Sequence, residues 1–265
     1  MTRPPALGFA ASVFIFCLAA FPPQTGATPP SVPWKAGERL TFDVSVGLLA
    51  AGEASLEVHE NAELEFSTNG VTKKYTAYHF VSSATTNAFV DVFYKVRDRS
   101  DSWLDTTDLV SHRFEQHNEE GKYRLEQTVQ YDWINKHFVL VDAVRSRGPK
   151  TEEGALPIPV VDILSALYLT RTKNLEAGKD FTLDVHSGKI YPLGVKVYPK
   201  ETVKVKAGTF ECFVVEPFLM DRGLFIQKGK KLKVWLTADA RRMPVKMQAE
   251  IFIGHVTAEL AEFSQ

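Results

Sequence analysis

SWLDTTDLVSHRFEQHNEEGKYRLEQTVQYDWINKHFVLV, residues 102–141, is a row of apolar-polar alternating runs. TTD marks one break, NEEG the next, and Asp132 to Lys136 a third. Each break carries the Asp, Asn, Thr or Gly chemistry of a turn. Runs joined this way lie side by side as an antiparallel meander. Polar residues alternate with larger ones, so one face of the sheet meets solvent or a wide cavity.

The same pattern extends in both directions. In GERLTFDVSVGLLAAGEASLEVHE, 37–60, Leu40, Phe42, Val44 and Val46 alternate with Thr41, Asp43 and Ser45. That period of two predicts a strand, and Ala54, Leu56 and Val58 predict another beyond a Gly-Ala-rich connection. Lys74 to Ser82 reads as a further strand. AFVDVFYKVRDR, 88–99, fits either a short helix or a strand entering a turn. Downstream, 179–220 holds three or four strands and 231–263 three more.

Two stretches break the strand pattern. Arg145 to Pro159, RSRGPKTEEGALPIP, is polar and reads as an exposed loop. VVDILSALYLTRTKNL follows, where Val160, Ile163, Leu164 and Leu167 recur at helical spacing. Asp162 near its start and Arg171 near its end suit the helix dipole. One amphipathic helix over 160–171 is expected to cover an open side of the sheet. The fold class is therefore all-β: a strongly curved antiparallel sheet, barrel or half-barrel like, with that one helix.

Two phrases occur twice in the same order. AGERLTFDV (36–44) is answered by AGKDFTLDV (177–185), and WLDTTD (103–108) by WLTADA (235–240). The expectation is one β-rich domain over 34–265, built from two similar halves, 34–144 and 175–265. In each Trp-Leu phrase the aspartate is placed to cap nearby amides, with Trp and Leu on opposite sides of the strand.

The N-terminus reads as targeting. Arg3 precedes an apolar run from Ala6 to Ala20, followed by FPPQTG. This is the order of a secretory signal peptide, over 1–21. The run is short against the roughly 20 apolar residues a spanning helix needs, though a retained anchor is the alternative. Residues 22–33, PPQTGATPPSVP, are an expected disordered proline-rich spacer. Of the two cysteines only Cys212 follows the export segment, so an internal disulfide is excluded, and its strand context predicts a buried thiol. The formal net charge is -1, with scattered basic residues, which argues against nucleic-acid binding.

The sequence offers few chemical signatures. Seven histidines lack HxH and HExxH spacings, so no metal site and no cofactor are expected. There is no GxSxG, GxxxxGK or GxGxxG motif. Glu119 and Glu120 before Gly121 read as a solvated hairpin tip. In YKVRDRSDSW, 94–103, Arg97, Arg99 and Asp101 share one face of an extended chain. They fit either an anion site at a barrel mouth or a fold-stabilising ion network. Aromatic residues Phe80, Phe89, Phe93, Tyr94, Trp103, Phe114, Tyr123, Tyr131 and Trp133 could line an apolar cavity or fill a solid core.

Taken together, YKVRDRSDSWLD, RFEQHNEEGKYR, VVDILSALYLTR and KAGTFECFVVEP resemble a family of exported bacterial proteins, domain of unknown function 3108. The resemblance covers most of the chain after the export segment. It implies a periplasmic, β-rich envelope protein and no defined activity. Its recurring phrases mark Tyr94, Arg97, Asp98, Arg99, Asp101 and Trp103 as ligand-binding candidates, and add Arg113, His117, Gly121 and Tyr123. The expected function is non-enzymatic binding of an apolar or amphipathic envelope component, a lipid or another amphiphile, with peripheral membrane contact. Alternatives are an assembly module that binds an envelope protein or glycan, and a hydrolase with an unidentified site.

Overall fold

The computed structural model describes residues 30–68, 70–144, 147–219, 231–251 and 254–265. The expected signal peptide and most of the expected spacer lie outside the described residues. The chain runs β1 (Arg39–Val46), β2 (Leu49–Thr68), β3 (Val71–Thr86), α1 (Ala88–Asp91), β4 (Val96–Asp105), β5 (Ser111–Glu120), β6 (Tyr123–Asp132), β7 (His137–Val144) and β8 (Arg147–Ala155). After α2 (Ile163–Arg171) follow β9 (Phe181–His186), β10 (Ile190–Val205), β11 (Gly208–Leu219), β12 (Leu232–Thr237), β13 (Pro244–Ile251) and β14 (Gly254–Ser264).

Among the described residues, all fourteen strands form one sheet in the order β8-β7-β6-β5-β4-β3-β2-β1-β14-β13-β12-β11-β10-β9. Every neighbour pair is antiparallel, and each strand follows its chain neighbour except where β1 meets β14. The predicted meander over 102–141 is β4 to β7. Its turns use the expected residues: Asp105 Oδ1 accepts from the Thr107 and Asp108 amides at 2.7 Å, Gly121 takes φ 55°, and Asp132 Oδ1 accepts from Ile134 N at 2.9 Å.

The sheet curls round but does not close strand to strand. Its edges, β8 and β9, do not pair, and a strap at 160–162 runs along β9. Val160 O accepts from Ser111 N of β5 at 3.1 Å, and Val161 forms a parallel bridge to Val185 of β9. The strap thus hydrogen-bonds to edge strand β9 and to the start of β5, pairing backbone groups of β9 that an open edge would expose.

Helix α2 begins directly after the strap and packs inside the curl. Asp162 is its N-cap: Oδ1 accepts from Leu164 N and Ser165 N, each at 2.9 Å. Residues 160–161, expected to be helical, belong to the strap instead. The 88–99 segment holds both alternatives, the short α1 and the start of β4. The expected loop at 145–159 contains β8, a strand. It lacks apolar alternation because it pairs only through β7 and sits at an edge, where Pro149 is tolerated. Gly154 of β8 lies under Phe138; a Cβ there would stand 2.5 Å from the ring.

The inner face carries the core. Cross-strand partners Val58, Phe80, Ser102, Phe114, Val129 and Leu140 form a continuous buried row from β2 to β7. Tyr168 of α2 stacks on Phe80 with centroids 3.7 Å apart. Each such large apolar side chain contributes about 1.5–3 kcal/mol by leaving water. Trp34 completes the cluster by edge contacts to Tyr78, Phe80 and Tyr168.

The end of the curl where β1 starts and β14 stops is sealed. Arg171 at the close of α2 forms a buried bidentate pair with Glu38, 2.6 and 2.8 Å. Arg171 also donates to Pro33 O and Arg241 O, and Gln265 donates to Glu38. Val32 packs against the core, so this end of the expected spacer touches the body.

The repeated phrases occupy matching places. Gly37 and Gly178 both take positive φ, and each donates its amide to the next strand, to Val58 O and Val197 O, both at 2.8 Å. Each Trp-Leu pair sits at a register shift, in β4–β5 and in β12–β13. The turns that follow contain Leu109 and Arg242, both with positive φ. Burial differs, however. Leu104 is core and Trp103 half-exposed, whereas Trp235 and Leu236 are both buried.

Candidate functional site

A cavity of about 760 Å³ opens between α2 and the inner face of the sheet. This volume lies within the roughly 300–1,000 Å³ that holds a small molecule. Its floor is the helix, through Ile163, Leu164, Ala166, Leu167 and Thr170. Its walls are largely aliphatic: Leu56, Val195, Val215, Val234 and Met247, with Phe42. Strand alternation explains this lining, since these positions face inward from β2, β10, β11, β12 and β13.

Polar lining residues gather at the far strand ends, away from the sealed end. They include Asp98, Gln116 and Asn118, with Lys231 and Glu250 opposite. Burial, reinforced by the nearby Glu120 carboxylate, pushes Asp98 up to about 6. Glu119 N donates to it at 3.1 Å. Asn118 Oδ1 is buried without a protein donor. The site is thus an apolar chamber with a polar opening, and one of its acids titrates near neutral pH.

The sequence-derived candidates do not converge. Asp98 and Arg99 both border the cavity, and strand alternation turns the Asp98 side chain inward. Arg97, Arg99, Asp101, Trp103, Arg113 and His117 lie on the outer face. There Asp101 accepts from His79 Nε2 at 2.8 Å and from Arg99 Nε at 2.7 Å. Burial raises this carboxyl, but the His79 and Arg99 hydrogen bonds outweigh it and hold Asp101 at about 2. Trp103 stacks on His79, centroids 4.6 Å apart, and Arg113 lies 5.3 Å over its ring. Arg97 pairs with Asp91 at 2.5 Å and His117 with Glu126. These side chains are engaged with one another on the outer face.

Tyr94 and Tyr123 lie at the rim of the open end. Tyr94 covers Gly121, whose added Cβ would stand 2.8 Å from the ring, and Tyr94 OH lies 3.4 Å from Glu120. Of the aromatic residues expected around a cavity, Phe80, Phe114 and Tyr131 fill core, and Phe89, Phe93 and Tyr94 are exposed. Aliphatic residues, chiefly Val195, Val215, Val234 and Met247 with Leu56 and the α2 side chains, line the chamber instead. Inward alternation was the only sequence signal of those on strands.

A second buried polar group lies beside the strap. Asp162 Oδ2 accepts from Ser102 Oγ at 2.7 Å and Ser111 Oγ at 2.5 Å. Ser165 Oγ lies 2.6 Å from Ser102 Oγ. Burial shifts the Asp162 carboxyl upward against these donors. His186, buried on β9, meets Tyr131 OH through Nδ1 at 3.1 Å, and burial pulls its pKa down to about 4. Cys212 is buried and its thiol is pushed up to about 12, first by burial. Among the described residues no group of three or more His, Cys, Asp or Glu could hold a metal ion.

Residues 41–261 match the family described as "Protein of unknown function (DUF3108)". The chain belongs to this family. None of the curated proteins matches the chain. Among solved structures, the DUF3108 chain is similar to a β-barrel-like protein of domain of unknown function DUF1849 from Brucella abortus. The TM-score is 0.52 and the identity 12%, over 86% of this chain and 96% of that one. A candidate exported protein with a YmcC-like fold from Bacteroides fragilis NCTC 9343 gives TM-score 0.31 and 11% identity, over 90% of this chain and 100% of that one. At this identity the Brucella likeness bears on the fold alone, and it agrees with the curled sheet described above.

Proposed function

We propose that this DUF3108 protein is a periplasmic, non-enzymatic binding protein for an amphiphile with one or more acyl chains. The observation that carries this reading is the chamber of about 760 Å³, aliphatic in depth and polar at its opening. An aliphatic wall offers dispersion and desolvation, and little hydrogen bonding, to what enters. A chain would lie along α2, and a head group would stay near Asp98, Gln116 and Asn118. The export-type N-terminal sequence supports an envelope address.

The test is native mass spectrometry of the protein from its own host, followed by extraction and identification of any co-purified lipid. The expected result is a mass adduct that yields an acyl-chain compound. Alongside it, Ala84→Phe, which places a ring in the chamber wall, should weaken binding of a soluble fluorescent acyl probe at least about tenfold, or 1.4 kcal/mol. Binding unchanged in a folded Ala84→Phe protein would rule out the chamber as the site.

A further inference from the structure

We propose that the collar around the chamber's opening seats in the surface of a lipid bilayer, so that the chamber exchanges chains with that bilayer. This inference rests on the chamber being an amphiphile site. Eleven large hydrophobic side chains are exposed among the described residues, and six of them, Leu48, Leu49, Phe89, Val92, Phe93 and Tyr94, lie on two neighbouring connections. Leu48 is fully exposed, and Val92 and Phe93 are each 77% exposed. Contiguous apolar patches of this kind are unusual on a protein that meets only water.

The two connections form one platform. Asn87 caps α1 through Val90 N and ties it to the first residues of β2, beside the β1–β2 turn, its amide to Ala51 O and its side chain to Ala50 O, at 2.9 and 2.8 Å. Gly121 N donates to Lys95 O at 2.8 Å, which joins the platform to the β5–β6 turn. Phe89 and Phe93 meet edge to face, 5.8 Å between centroids.

The platform is continuous with the chamber. β2, β3 and β4 carry the collar at their ends, and a few residues further in they supply Ala54, Ala84 and Asp98 to the chamber wall. The chamber's aliphatic wall selects ligands with little free concentration in water. A source at a bilayer surface lowers that barrier, because a chain leaving at the collar crosses only the short polar opening before it meets the aliphatic wall. Apolar residues of such a collar would be immersed about 5–10 Å into the headgroup boundary.

The experiment uses the full chain and neutral phosphatidylcholine vesicles whose acyl chains are brominated. Leu48→Trp and Phe93→Trp place reporters on the collar. Val71→Trp places one on an exposed site of the β2–β3 turn, at the other end of the sheet. The expected result is that vesicles quench the added emission at 48 and 93 and leave that at 71 unchanged. Equal quenching at all three sites, or none at 48 and 93, would overturn the proposal. In parallel, the double variant Leu48→Ser, Phe93→Ser should bind the soluble acyl probe as wild type does, yet acquire it from vesicles at least tenfold more slowly. An unchanged rate of acquisition would also overturn it. If wild type fails to bind the probe from solution, the chamber reading fails and the exchange step with it. The quenching pattern reports bilayer contact independently of that result.

Discussion

Asp98 and Trp103 stand five residues apart on one strand, and the structure sends them to opposite sides of the sheet. Asp98 faces the chamber, where its carboxyl titrates near 6, above the usual value near 3.9. A raised acid favours the folded state most when protonated. Its contribution is therefore full below about pH 4 and is lost as pH rises through about 6. Asp98→Asn should flatten the pH dependence of urea stability between those values, and should likewise flatten that of acyl-carboxylate binding. A wild-type slope retained in the variant would place the titration elsewhere. Asp101 behaves oppositely: held at about 2, it stabilises the fold above pH 4, and that term is lost as pH falls toward 2. Trp103→Ala should lose only about 1–2 kcal/mol, the value of one stacked ring and one cation contact. Trp235→Ala, which empties core and leaves Glu201 without its 2.9 Å indole donor, should lose about 3–5 kcal/mol in the same melt. The sequence showed Arg97, Arg99 and Asp101 on one face correctly. It could not show which face, because a register slip of one residue exchanges the two sides.

Among the elements, α2 was the most legible, since its apolar spacing differs from every strand around it. Its start was displaced because Val160 fits a helical stripe and a strap equally well. Only the distant amides and carbonyls of β5 and β9 decide between them. β8 was illegible for the converse reason: an edge strand with one neighbour needs backbone pairing and no apolar face. The helix depends on Asp162, whose carboxylate accepts two helix amides and two serine hydroxyls in a buried setting. Asp162→Ala should destabilise by about 3–5 kcal/mol, well beyond an ordinary N-cap, because buried donors lose their acceptor. Hydrogen exchange should quicken first at residues 163–167. A loss under about 1 kcal/mol would mean that the helix is held by packing alone.

At the scale of the whole molecule, a curled antiparallel sheet was foreseeable from turns and alternation. The chamber was not, because it exists only where the curl brings β1–β5 and β10–β13 around α2, and no local pattern reports that gap. The same long-range logic governs the sealed end. Arg171 and Glu38 are far apart in sequence and meet only when the sheet has curled. Glu38→Ala should therefore lose about 3–5 kcal/mol by stranding a buried guanidinium, and a thermal melt should show the whole sheet unfolding earlier. Loss of α2 alone, with strands intact, would count against this coupling.

Arg39 pairs with Ser264, so the first and last strands enter and leave side by side at the pole opposite the collar. Anything joined after Gln265, whether a purification handle, a fluorescent partner or a surface linker, hangs from the blind pole. A molecule immobilised that way turns its doorway toward the bulk solution.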